Sequence, residues 1–180
     1  MTSTIYLIRH CRAAGQEPEA PLTEEGHAQA LRLRDRLAAT PIARVVSSPF
    51  LRARDSAASL AARLGLPVGI DERLAERVLA ADPAEDWQDR LRQSFADPGL
   101  CWPGGESGAA AMARGRAAVD AATANAGGPV AVVTHGNLLA LILHSFDGHS
   151  GFDTWAGLTN PDVYRIDSAG HVRRWGSDEG

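Results

Sequence analysis

Residues 5–16 read IYLIRHCRAAGQ: an apolar run that ends in a guanidinium, an imidazole and a thiol, Arg9, His10 and Cys11. A second apolar run, PVAVVT at 129–134, ends in His135-Gly136-Asn137. A third, shorter stretch reaches Ser47-Ser48-Pro49-Phe50-Leu51-Arg52 and brings another guanidinium one turn later. These residue types suit phosphate. A planar guanidinium binds two oxygens at once, and a neutral imidazole or a thiolate can attack phosphorus. His10 and Cys11 are therefore rival nucleophiles.

Counting decides between them. Cysteine-dependent phosphatases carry a Cys, five residues, then an Arg that clamps the phosphate. After Cys11 the five are Arg12, Ala13, Ala14, Gly15 and Gln16, and the next residue is Glu17. A carboxylate there would repel the anion it should bind, so His10 is preferred. A zinc site from His10, His135 and a carboxylate is disfavoured, because no spacing such as His-Glu-x-x-His occurs.

The elements that must hold these groups are legible. Residues 4–9, 44–47 and 129–134 read as buried strands. Residues 22–39 read as a helix capped by Thr23, with Ala30, Leu33 and Leu37 on one face. Ser48 is expected to cap a helix that buries Ala53, Ala57, Leu60, Ala61 and Leu64 and stops at Gly65. A short strand over 67–70, a helix near 84–95, a break at Trp102-Pro103-Gly104-Gly105 and a helix over 107–126 follow. An apolar helix then follows His135-Gly136-Asn137, and strands are expected near 162–167 and 171–175. Tyr164-Arg165-Ile166 and Val172 are candidates for an edge strand.

Strands apolar throughout, alternating with helices, predict an α/β fold: a three-layer α/β/α sandwich with a mostly parallel central sheet. Ligands of such sheets gather at the carboxyl ends of the strands. That rule brings Arg9, His10, Arg52 and His135 to one edge as a cationic pocket.

Composition narrows the class. The chain has 180 residues, 44% hydrophobic and 22% charged, which suits one globular domain over 1–180. Its net charge of -4 argues against a nucleic-acid partner. No apolar run is long enough for a membrane span, no signal peptide is evident, and two cysteines make no disulfide framework, so a cytoplasmic protein is expected. All 18 basic residues are arginine. Oligomeric state is not readable.

The ordered set Arg9-His10, Leu22-Thr23-Glu24-Glu25-Gly26, Ser47-Ser48-Pro49-Phe50-Leu51-Arg52-Ala53, Leu74-Ala75-Glu76-Arg77, Gly105-Glu106-Ser107 and Thr134-His135-Gly136-Asn137 resembles the histidine phosphatase superfamily, the phosphoglycerate mutase-like family. The resemblance spans about residues 4–167. It implies His10 as the nucleophile that becomes phosphorylated, with Arg9, Arg52 and His135 on the phosphoryl oxygens. Gln16 falls where the family often has an asparagine on the phosphate, Gly136 follows the second histidine, and Glu76 would be the general acid. No metal and no cofactor are implied, and the partner is a small phosphorylated metabolite.

Departures are visible. Cys11 and Arg12 replace the usual glycine and acidic residue, and Cys11 is expected to narrow the pocket or make it sensitive to oxidation. Arg12 offers a further cation near the mouth. Glu72, Asp82 and Glu85 compete with Glu76, while Glu106 is expected to support a turn or cap a helix. Mutases of the family usually continue Glu-Arg-His-Tyr-Gly; here Glu76-Arg77 continues Val78-Leu79-Ala80, which favours a phosphatase that passes the phosphoryl group to water. A non-catalytic phosphate-binding module and a mutase are the alternatives. Phosphosugars, nucleotide-related monophosphates and a phosphohistidine protein all fit as substrates. Trp87, Phe95 and Trp102 are candidates for an apolar pocket wall or for plain core.

Overall fold

The computed structural model describes residues 3–82 and 85–176. Its centre is a six-stranded sheet in the order β3-β2-β4-β1-β5-β6. The strands are β1 (Ile5–Arg9), β2 (Arg44–Ser47), β3 (Val68–Ile70), β4 (Val130–Thr134), β5 (Asp162–Ile166) and β6 (Val172–Arg174). β1, β4, β2 and β3 run parallel, while β5 and β6 are antiparallel additions beyond β1. Residues Tyr164 to Ile166 lie in β5, between β1 and β6, so they form no edge; Val172 in β6 does.

Alternate side chains along a strand face opposite ways, and both faces here are apolar. Ile5, Leu7, Val130 and Val132 pack with α4 (Gly108–Thr123) and α5 (Gly136–Asp147). Tyr6, Ile8, Ala131 and Val133 pack with α1 (Glu24–Leu37) and α2 (Leu51–Leu64). The sandwich therefore has three layers, as expected. Two smaller helices, α3 (Trp87–Ala96) and α6 (Phe152–Ala156), complete the chain. α6 was not foreseen, because five residues carry no readable period. Part of the region expected to be helical from 84 lies outside the described residues.

Local signals explain the boundaries. The Thr23 hydroxyl accepts from the Gly26 N–H, and Ser107 does the same for Ala110. Gly65 closes α2 at φ 68°, a left-handed position that suits glycine. Ser48 is not the cap expected of it: α2 begins at Leu51 after Phe50, with no side-chain cap. Pro49 holds a non-helical turn there, and the Ser48 hydroxyl is used elsewhere.

Gly26 couples α1 to the loop after β1. A methyl group on it would overlap the carbonyl oxygen of Arg12. That oxygen also accepts from the Thr23 N–H at 3.0 Å, so it cannot easily withdraw. Gly26→Ala is expected to cost about 2–4 kcal/mol of stability. Urea unfolding of the variant beside the wild type checks it, and an unchanged midpoint would refute it.

Candidate active site

The carboxyl ends of β1, β4 and β2 lie level, with Arg9 opposite Thr134 and Ser47 opposite Val133. A cleft of about 690 Å³ opens above them. Arg9, His10, Gln16, Arg52, Glu76 and Gly136 all line it, joined by Arg12, Asn137 and Asn160. His135 stands beside His10, the ring centroids 5.1 Å apart. The seven residues singled out in the sequence are thus brought together.

His10 is oriented through one nitrogen. Its Nδ1 donates to the Cys11 carbonyl at 2.6 Å, which leaves Nε2 with the lone pair. Arg52 Nε lies 3.2 Å from that Nε2. Burial, with the charges of Arg52 and Arg9, pushes the His10 pKa down to about 4, against a weaker opposing pull from the Cys11 carbonyl. The imidazole is consequently neutral at ordinary pH.

Arg52 is buried at 1% exposure. Its Nη1 donates to the Glu17 carbonyl, and its guanidinium lies over the Phe50 ring. Arg9 donates from Nη1 to the carbonyls of Leu158 and Thr159. Asn160, two residues before β5 begins, donates to the His10 carbonyl at 2.8 Å. A side chain at position 136 would press on the Arg9 guanidinium, at 3.3–3.4 Å, which accounts for Gly136.

His135 is 1% exposed, and its pKa is well below the usual imidazole value, chiefly through burial and then the nearby His10 and Arg52. The Ser48 hydroxyl lies 2.7 Å from its Nε2. That hydroxyl also accepts from the Phe50 N–H, and Nε2 is the acceptor that its own proton finds among the described residues. The neutral ring then carries its hydrogen on Nδ1, a buried donor with no partner among the described residues. The sequence offered only the Ser-Ser-Pro motif as a clue to this role. Ser48→Ala is expected to lower kcat roughly tenfold to a hundredfold by releasing the tautomer. Steady-state kinetics check it, and an unchanged kcat would refute it.

Glu76 sits at the amino end of α5. Its Oε1 accepts from the N–H groups of Arg77 and Leu138, and its Oε2 from Asn137. Oε1 has both lone-pair directions engaged, while Oε2 keeps one open. Glu72, Asp82 and Glu85 do not line the cleft. The loop bearing Glu76 is clamped by Arg114, which donates to the carbonyls of Arg73 and Ala75 and pairs through both remaining nitrogens with Glu106. Glu106 therefore supports the turn, while Ser107 is the cap. Arg77 lines the cleft, donates to Glu106 and Ser94, and keeps a buried Nη2 without a partner among the described residues.

Cys11 departs from expectation. Its side chain is fully buried in the core with Tyr6, Ile8 and Leu22, not in the cleft. Burial raises its pKa to about 11, so the thiol is inert. It neither narrows the pocket nor sensitises it to oxidation. Of the three aromatic candidates only Trp87 lines the cleft. Phe95 packs on the core, Trp102 is placed elsewhere, and Trp155 joins the wall unforeseen.

A sheet edge that gathers two neutral histidines with one buried and one half-buried guanidinium, and no cluster of metal ligands among the described residues, defines a phosphoryl-handling α/β protein. The chain belongs to the histidine phosphatase superfamily (branch 1), whose family model matches residues 5–176.

Among curated proteins it is 32% identical, over 178 residues, to a glucosyl-3-phosphoglycerate phosphatase of Mycolicibacterium vanbaalenii, covering 86% of this chain and 76% of that protein. Among solved structures, a mycobacterial glucosyl-3-phosphoglycerate phosphatase in complex with inorganic phosphate matches with a TM-score of 0.75 at 27% identity, over 96% of this chain and 94% of that one. YhfR of Bacillus stearothermophilus matches with a TM-score of 0.73 at 27% identity, over 96% and 95%. No helix among the described residues is long and apolar enough to cross a membrane.

Proposed function

We propose that the chain is a phosphatase, one catalytic domain that hydrolyses a small phosphomonoester through a phosphohistidine on His10. The observation that carries this is the pairing of a neutral Nε2 on the cleft-lining His10 with the Arg9, Arg52 and His135 donors around it. Buried donors without acceptors are costly, and a phosphoryl group supplies the acceptors. Its oxygens draw Arg52 away from Nε2 and free the lone pair for in-line attack. The phosphorus–oxygen bond to the alcohol breaks as the bond to Nε2 forms. Glu76 Oε2 gives its proton to the departing oxygen, then takes one from the water that attacks the phosphohistidine. Gln16 and the Gly136 backbone border the same anion.

Arg9 and Arg52 supply the positive charge and His135 a neutral donor, so no metal or cofactor is called upon. Both curated and structural relatives named as glucosyl-3-phosphoglycerate phosphatases support hydrolysis over transfer, as does Val78-Leu79-Ala80 after Glu76-Arg77. We place the protein in the cytoplasm, with a phosphorylated metabolite rather than a nucleic acid as its partner.

The test is phosphate release from a generic aryl phosphate in chelator. The reaction is also quenched in acid and in alkali, since phosphohistidine is acid-labile and survives alkali. Turnover with an alkali-stable phosphoenzyme is expected. Tight phosphate binding without release would instead identify a binding module.

A further inference from the structure

We propose that Trp87 and Trp155 form the surface that selects the leaving group, and that this group carries a sugar ring. The proposal rests on the phosphatase reading and deepens it. A phosphoryl group fills only a small part of a 690 Å³ cleft. The apolar side chains of its lining are Ala13, Leu79, Leu91, Trp87 and Trp155.

The two indoles meet edge to face, 5.7 Å between centroids and 88° between planes. They come from different helices, α3 and α6. Phe152 braces Trp155 at 5.3 Å, and Arg92 of α3 lies 4.2 Å over Phe152. The wall is therefore pinned before any ligand arrives, which reduces the ordering cost of binding. Trp87 nevertheless stays 44% exposed. A large apolar ring left open inside a cleft has surface to give up on binding.

The rest of the cleft decides what covers it. Gln16, Asn160 and Arg12 present hydrogen-bonding groups in the same space. A plain alkyl chain would cover the indole but offer those groups no hydrogen-bond partner. A pyranose has a C–H face for the indole and hydroxyls at its rim for the polar side chains. The leaving group thus spans from the phosphoryl site to the tryptophan wall, with its ring on Trp87.

The experiment compares kcat/KM for glucosyl-3-phosphoglycerate and 3-phosphoglycerate, which share the phosphate ester and differ by the sugar. Wild type is expected to favour the glucosylated compound. Trp87→Ala should shrink that preference about tenfold, mainly through KM, and Trp87→Phe should keep most of it. A wild-type ratio near one, or a ratio untouched by Trp87→Ala, would overturn the proposal. Stronger hydrolysis of adenosine monophosphate than of either compound would also overturn it, assigning the wall to a planar base.

Calorimetric binding of glucosyl-3-phosphoglycerate to the His10→Ala protein, with and without Trp87→Ala, reads the same contact without turnover. If the aryl phosphate is not hydrolysed, the phosphatase reading fails by itself. Binding then still decides the wall: a tenfold loss with Trp87→Ala supports the sugar contact, and no loss overturns it.

Discussion

His10→Ala is expected to lower turnover of any phosphomonoester by about 10⁴-fold or more, and to remove the alkali-stable phosphoenzyme altogether. No neighbouring group can replace the nucleophile. His135 is buried with its Nε2 engaged by Ser48, and the Cys11 thiol faces the core with its pKa pushed up to about 11. The fold should survive, because the His10 side chain contributes one hydrogen bond to the Cys11 carbonyl and one contact to Arg52. Circular dichroism and phosphate binding by calorimetry confirm that the loss is chemical. Cys11→Ala is the companion variant and should keep turnover within a few-fold. If His10→Ala retained a tenth of the activity while Cys11→Ala lost it, the assignment of nucleophile would be wrong.

The second large effect is on stability in acid. His10 has a native pKa near 4, below the ordinary value of 6.5 that the unfolded chain shows. His135 is lowered in the same direction by deeper burial. Between pH 6.5 and 4 the unfolded chain therefore binds protons that the native protein refuses, and stability falls as pH falls through that window. His10 alone is worth about 3 kcal/mol across it. Above pH 6.5 both forms are neutral and the effect vanishes. Urea unfolding in phosphate-free buffer, at several pH values between 4 and 7.5, measures it. His10→Gln should give a visibly shallower dependence. Parallel curves for the variant and the wild type would show that His10 does not titrate as described.

Much of the site was legible because its chemistry sits where strands end. β2 spans the residues expected, and β1 and β4 start one residue late, since a continuous apolar run between turn signals has few other readings. Arg9, His10 and His135 follow from that placement alone, and Arg52 from its position one turn on. Glu76 is different. Nothing in its neighbourhood separates it from Glu72 by pattern; it reaches the cleft because α5, sixty residues later, offers two free N–H groups. Ser48 was misread for a related reason. A serine before Pro49 has the composition of a cap, but tertiary contact with His135 claimed the hydroxyl. Trp155 and α6 were missed because a five-residue helix has no period. Cys11 was expected in the pocket, yet which way one residue of a loop turns depends on the space beside Leu22 and Ile8, which only assembly creates.

Arg9 reaches Leu158, and Asn160 reaches back 150 residues to the carbonyl of His10. β1, the strand that ends just before His10, lies in mid-sheet between β4 and β5, both drawn from residues beyond 129. A ribosome therefore delivers His10 well before the strands that flank β1. Until β4 and β5 emerge, β1 is an unpaired apolar segment open to wrong pairing. Closure over such separations makes for slow, high-contact-order folding. The cleft edge around His10 cannot be assembled until β4 and the segment through Asn160 and β5 have emerged, so its completion is a single late event.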